Sequence, residues 1–266
     1  MADARTDYDE LRVDRADGVA TVTLDSTSKF NALNDRMGEE LFAVATDLVE
    51  DDEVRCIVLT ATGGAFCAGA DLASLDGDER DGARLRALAT SLHDAITQLH
   101  QAGKPVVVGV NGVAAGAGFS LALTGDVVLV SDAARMEFAY SRIGLTGDGG
   151  STFYLPRLVG LRVARELVLL DEPISPERAV DLGLASEVVP AADLEETVAD
   201  YARRLADGPT AAFGATKELL LRSFDRSLEG QLAAETDAIA RATHTEDYER
   251  GYEAFFGDAD AEFVGR

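Results

Sequence analysis

The chain has 266 residues, 47% of them hydrophobic, enough for one large core or two small ones. Its 48 acidic residues face 24 basic ones, and the formal net charge of -24 excludes a general nucleic-acid binder and a protein of anionic membrane surfaces. Lysine is confined to Lys29, Lys104 and Lys217, a balance that fits a halophilic protein whose self-repulsion is screened by counterions; unfolding in low salt is the expected consequence.

Cys56 and Cys67 give no disulfide framework, and His93, His100 and His244 are too scattered for a metal cluster, so no metal is expected. The first ten residues lack an apolar leader core, and no run of about 18 apolar residues follows. A soluble, cytoplasmic protein is the expectation.

Residues 11–24 read as two strands around the Asp17-Gly18 turn. A helix follows from an Asn34 N-cap, with Met37, Leu41, Val44 and Leu48 forming its apolar stripe. Residues 54–60 read as a buried strand, residues 61–71 as a glycine-rich loop, and the next helix carries Leu85, Leu88, Leu92, Ile96 and Leu99. The unit then recurs: a strand from Pro105, a loop over 111–118, a short helix FSLALT and a strand DVVLVS. Strands alternating with helices predict an α/β fold with parallel pairing. Beyond residue 150 the chain reads as helical. Ser175-Pro176 makes an N-cap with Pro at N1, Gly183 fits a helix end, and residues 193–206, 209–224 and 228–256 each read as one helix.

The two glycine-rich loops, residues 63–71 and 112–118, each join a strand to a helix or turn. Small residues let a ligand approach the backbone, and unpaired N–H groups at a helix start point one way. Brought face to face, two such loops would present two N–H donors to one developing oxyanion. Phosphate binding is the other reading, but neither loop fits G-x-x-x-x-G-K-[ST] and the second lacks G-x-G-x-x-G. Plain tight packing of two turns also fits.

The sequence resembles the crotonase, or enoyl-CoA hydratase/isomerase, superfamily. The resemblance is carried in order by Phe30-Asn31-Ala32-Leu33, AFCAGAD over 65–71, the stretch from Pro105 to Asp126, LPRLVG over 155–160 and AVDLGLASEVV over 179–189. It implies a crotonase (ClpP-like) superhelix of ββα turns over 1–200. A helical trimerisation region over 201–266 would follow, giving a homotrimer or a dimer of trimers. The implied substrate is an acyl-CoA, with CoA entering as part of the thioester and no separate cofactor. The implied oxyanion donors are the main-chain N–H groups of Ala68 and Ala117. The implied CoA-binding residues are Lys29, Ala32, Leu33, Ala68, Asp71 and Leu72, with Phe255 from a neighbouring subunit. The basic residue that accompanies this aromatic in the family is Asp258 here.

The superfamily hosts several reactions, so the acids must decide. Two-glutamate hydratases activate a water with paired carboxylates, but the corresponding positions hold Ser120 and Tyr140. Neither is a carboxylate base at neutral pH. Asp148, in IGLTGDGGST, resembles the proton-carrying aspartate of the isomerase branch, and one carboxylate is enough to move a proton between two carbons on one face. A plain turn residue before glycines is the bland alternative. The dehalogenase branch uses an aspartate nucleophile there with an upstream histidine base. His93 matches that histidine and Tyr140 an aromatic wall, although a helix histidine is more often a packing residue and the chain holds only 6% aromatics. Asp148, Ala68 and Ala117 are therefore the expected catalytic groups, with Ser120, Tyr140 and His93 lining the pocket. An acyl-CoA isomerase is the leading expectation, an enoyl-CoA hydratase the alternative, and a non-catalytic acyl-CoA binder the remote one.

Overall fold

A computed structural model describes residues 4–257 and 259–266. Three antiparallel strands open the chain: β1 (Ala4–Asp7), β2 (Leu11–Ala16) and β3 (Val19–Leu24). The β2–β3 turn puts Asp17 and Gly18 at φ 48° and 77°, the left-handed pair that a two-residue hairpin needs. Helix α1 (Asp35–Glu50) begins where expected, with Asn34 Oδ1 accepting the Met37 N–H at 2.8 Å.

The chain then winds as a spiral in which each turn gives one strand to each of two sheets. β4 (Cys56–Ala61) and β5 (Ala65–Cys67) precede α2 (Asp81–Gln101). β6 (Val106–Val110) and β7 (Val113–Ala115) precede α3 (Ala117–Ala122). β8 (Val127–Ser131) and β9 (Arg135–Glu137) precede α4 (Ser151–Leu158) and α5 (Gly160–Leu170). After α6 (Pro176–Asp181), β10 (Glu187–Val189) closes the large sheet, whose order is β1-β2-β3-β4-β6-β8-β10 and parallel from β3 onward. The small sheet, β5-β7-β9, is wholly parallel. Burial on both faces explains why β6 reads VVVGV without alternation.

α7 (Leu194–Ala206) covers one face of the large sheet, packing Val198, Ala202 and Ala206 against Cys56, Val58, Val107 and Leu129. α1 and α2 bury Met37, Leu41, Leu48, Leu92 and Leu99 on the other. α8 (Thr210–Arg222), α9 (Leu228–Ala242) and α10 (Glu246–Gly257) complete the chain.

Four sequence expectations change. β5 and β7 are short strands inside stretches read as loops, because each pairs along its backbone rather than through a hydrophobic pattern. β10 interrupts the helical half. The helix expected over 228–256 is two, because Thr245 Oγ1 accepts the Tyr248 N–H and starts a new helix after Ala242. A boundary at residue 200 runs through α7, which belongs to the core.

Candidate active site

A cleft of about 490 Å³, within the usual range for small-molecule sites, lies between the two glycine-rich loops on one side and α2 with segment 139–148 on the other. The first wall is backbone. Leu33 forms a parallel bridge with Ala70: its N–H donates to Gly69 O at 2.7 Å, and its carbonyl accepts from the Asp71 N–H at 2.8 Å. In parallel pairing Ala70's own N–H turns away from that partner. It has no hydrogen-bond partner among the described residues. Ala117 is the first residue of α3, so its N–H has no acceptor within the helix.

Main-chain contact brings the loops this close. A Cβ on Gly69, at φ 95°, would stand 3.0 Å from Ala115 O and 3.6 Å from Ala117 N; one on Gly118 would stand 2.0 Å from Cys67 O. Ala68 is a correction. Its N–H is donated to Phe30 O at 3.1 Å, so the amide of this loop left for a ligand is that of Ala70. Phe30, at φ 61°, and Asn31, at φ 53°, hold that carbonyl in place through a non-glycine left-handed turn. The Asn31 amide fixes the turn by donating to Thr62 O and Ala65 O, both at 2.9 Å.

The second wall is built of side chains. The Tyr140 hydroxyl donates to Asp148 Oδ1, and Ser120 Oγ donates to the Asp148 carbonyl at 2.8 Å while lying 3.1 Å from the Tyr140 oxygen. Burial, reinforced by the Asp148 carboxylate, pushes the Tyr140 phenol well above the ordinary tyrosine value, so it remains a proton donor. His93 Nε2 accepts the Gly149 N–H at 3.0 Å and stands 3.9 Å from Asp148 Oδ2. His93, expected to line the pocket, stands beside the aspartate but is not among the residues that line the cleft. Ser120 does not line the cleft as expected. It is fully buried behind Tyr140, and a Cβ on Gly149 would come within 2.6 Å of it.

Asp148 keeps 32% of its side chain exposed and is the only carboxylate lining the cleft among the described residues. Its wall is fastened from outside. Ala139, at φ 61°, donates its N–H to Asp171 Oδ1 at 2.7 Å, and Arg142 pairs with Glu137 and donates to Asp171 O at 2.9 Å.

The residues expected to bind CoA disperse. Leu33, Ala68 and Leu72 line the cleft. Asp71 caps a short turn, accepts from Ser28 Oγ at 2.8 Å, and lines a small side pocket of about 140 Å³. Ala32 is buried outside the cleft lining, and Lys29 lies over the Phe30 ring at 4.8 Å. Phe255, 83% exposed on α10, does not line the cleft of its own chain, and Asp258 lies outside the described residues. Among the described residues no group of three or more His, Cys, Asp or Glu is arranged to hold a metal, and no helix is long and apolar enough to cross a membrane.

The family model described as "Enoyl-CoA hydratase/isomerase" matches residues 14–266. The chain belongs to this family. It is 36% identical to the 1,2-epoxyphenylacetyl-CoA isomerase of Escherichia coli, over 94% of this chain and 96% of that protein. It is 38% identical to a "probable enoyl-CoA hydratase" of Rhodobacter capsulatus, over 97% and 99%. A solved enoyl-CoA hydratase from Bacillus anthracis superposes with a TM-score of 0.90 at 29% identity, over 97% of this chain and all of that one. The enoyl-CoA hydratase/isomerase fold is therefore the one described above, and acyl-CoA hydratase or isomerase chemistry is the class of activity.

Sequence reasoning missed three contributors to the family cleft. Ala70 could have been found from the bridge that AFCAGAD forms with Leu33, had that pairing been visible. Arg142 carries no motif. Arg86 lies seven residues before His93, on the same face of α2, and this spacing was the available signal.

Proposed function

We propose that the enzyme is an acyl-CoA isomerase that shifts a double bond through a thioester enolate. The observation that carries this is a carboxylate, Asp148, the single one on the cleft among the described residues, across from two amides, Ala70 and Ala117, that have no partner among those residues. With the thioester oxygen between those amides, the carboxylate of Asp148 takes a proton from carbon 2 of a 3-enoyl-CoA. The electron pair passes into a dienolate whose oxygen the two N–H groups stabilise, each worth about 3–4 kcal/mol in the transition state. The same carboxyl returns the proton to carbon 4, giving 2-enoyl-CoA with no net change in atoms.

Hydration is the reading to beat, since relatives carry both names. It needs a second group to position water. The two hydroxyls at those positions are committed: Tyr140 donates to Asp148, and Ser120 is buried behind it. A dehalogenase would use the same Asp148–His93 pair, but Tyr140 is the one aromatic ring lining the cleft among the described residues. Incubation with 3-enoyl-CoA and, separately, 2-enoyl-CoA tests the proposal. Isomerisation of the first is expected; fast conversion of the second to 3-hydroxyacyl-CoA overturns it.

We also propose that sister chains cover the C-terminal helices in a trimer or a dimer of trimers. α8 and α9 leave Leu220, Leu228, Leu232 and Ile239 between 52% and 72% exposed, too much apolar surface for a lone chain. A monomeric mass by light scattering would refute this.

A further inference from the structure

Arg86 stands out on the cleft wall by its lack of a counter-ion. In a chain with twice as many acids as bases, its helix neighbours Arg80 and Arg84 are both matched: Arg80 to Asp78 at 2.6 Å, Arg84 to Asp76 at 3.3 Å. Arg142, the other guanidinium on the cleft, is held by Glu137 and Asp171. Arg86 makes no ion pair and donates no side-chain hydrogen bond among the described residues. Its neighbours one turn away on α2 are Gly82, Ala83, Ala89 and Thr90, so nothing local can neutralise it.

The helix itself measures how far this charge lies from the chemistry. Arg86 and His93 are seven residues apart, so they share a face of α2 at a separation of about 10 Å along its axis. His93 Nε2 is 3.9 Å from Asp148. Between them the wall is apolar: Leu88, Ala89 and Leu92 line the cleft. A ligand laid along this face from the reacting carbons meets hydrocarbon first and then a positive charge.

The geometry points to an acyl group that ends in a carboxylate, a dicarboxylic acid bound as its mono-CoA thioester, with Arg86 reading the distal carboxylate. This rests on the acyl-CoA reading above and names the substrate class of that same site. A guanidinium suits the role because its planar donors match a carboxylate in a two-point contact, and because it stays charged at every working pH. Segments 29–33 and 68–72, on the opposite wall, are left for CoA.

Two pairs of saturated, unreactive ligands that differ only at the distal end test this by calorimetry: adipoyl-CoA against hexanoyl-CoA, and suberoyl-CoA against octanoyl-CoA. At least one dicarboxylic member is expected to bind the wild type about tenfold more tightly than its methyl-ended partner. That ratio should fall to near one in Arg86→Met and largely return in Arg86→Lys. Ratios near one for both pairs in the wild type overturn the proposal. Equal weakening of both members of each pair in Arg86→Met also overturns it, because the charge would then be reading the CoA phosphates common to all four. Failure of all four esters to bind would sink the acyl-CoA reading itself, a result distinct from binding without preference.

Discussion

The two walls of the cleft are built by opposite means. The loop wall offers main-chain amides and is fixed by steric contact: Gly118 lies against the Cys67 carbonyl and Gly69 against Ala115. The facing wall offers side chains and is fixed by hydrogen bonds among Asp148, Tyr140 and Ser120, with His93 accepting the Gly149 N–H beside them. A charge that develops on a substrate oxygen needs donors that do not move, which packed backbone supplies. A proton that must travel between two carbons needs a carboxyl held at one oxygen and open at the other. The Tyr140 contact leaves Asp148 Oδ2 in that condition. Binding and proton transfer are thus divided between the walls, and substitutions should separate them.

The largest effect is expected at the group that moves the proton. Asp148→Asn keeps the shape and an acceptor for Tyr140 but loses the base, so kcat should fall by about 10²–10⁴ with KM little changed. Stopped assays on a 3-enoyl-CoA, with calorimetric binding of a saturated acyl-CoA as control, check this; undiminished turnover would remove Asp148 from the chemistry. Gly118→Ala attacks the other wall. Its Cβ would meet the Cys67 carbonyl at 2.0 Å, and a backbone atom cannot swing aside, so the loops must part and the Ala117 amide must shift. A fall of about 10²–10³ in kcat is expected, as for loss of one oxyanion donor. A thermal melt also reports the strain, so a variant that melts like the wild type at full activity would refute the close contact.

Tyr140→Phe probes the side-chain wall more gently. It removes a hydrogen bond to a charged carboxylate and should lower kcat/KM about tenfold, equivalent to roughly 1.4 kcal/mol. Ser120 keeps its acceptor in the Asp148 carbonyl, so no buried hydroxyl is orphaned. Because the phenol is held above the ordinary tyrosine value, the wild type should show no alkaline loss of activity from its ionisation up to about pH 10. A wild-type decline near pH 9 that vanishes in Tyr140→Phe would contradict this.

Periodicity and end signals made much of this architecture legible. Asn34, Asp17-Gly18 and Ser175-Pro176 act through local geometry, and the structure uses each as its chemistry dictates. Asp148 stood out only through the resemblance of IGLTGDGGST to the isomerase branch, because by local context an aspartate before glycines reads equally well as a turn residue. What stayed hidden depends on pairing at a distance. β5 and β7 have no pattern of their own, and the parallel bridge from Leu33 that turns the Ala70 amide outward is invisible in a linear motif. That is why the loop was read two amides too early, at Ala68 rather than Ala70. The position of His93 against Asp148 likewise depends on how α2 lies across the spiral, and spacing along the chain could not separate it from a packing residue.

The smallest effect concerns how the side-chain wall is anchored. Glu137 is nearly inaccessible. Burial alone would raise its pKa, but the guanidiniums of Arg142 and Arg135 outweigh that and bring it below the ordinary glutamate value of 4.5. A carboxylate depressed in the folded state contributes stability that is fully present above the unfolded value and is lost as pH falls through the folded one. Glu137→Gln should therefore lower Tm by about 2–6 °C at neutral pH, for roughly 1–2 kcal/mol lost from a chain of this size. The gap from wild type should narrow as the buffer is taken below 4.5, where the wild-type carboxylate begins to gain its proton. Gly118→Ala provides the contrast, since no titrating group takes part in its clash with Cys67 and its Tm deficit should not close over the same range. Deficits that close together would mean that the walls are not anchored independently; an acid-sensitive gap for Glu137→Gln alone separates a wall held by charge from one held by contact.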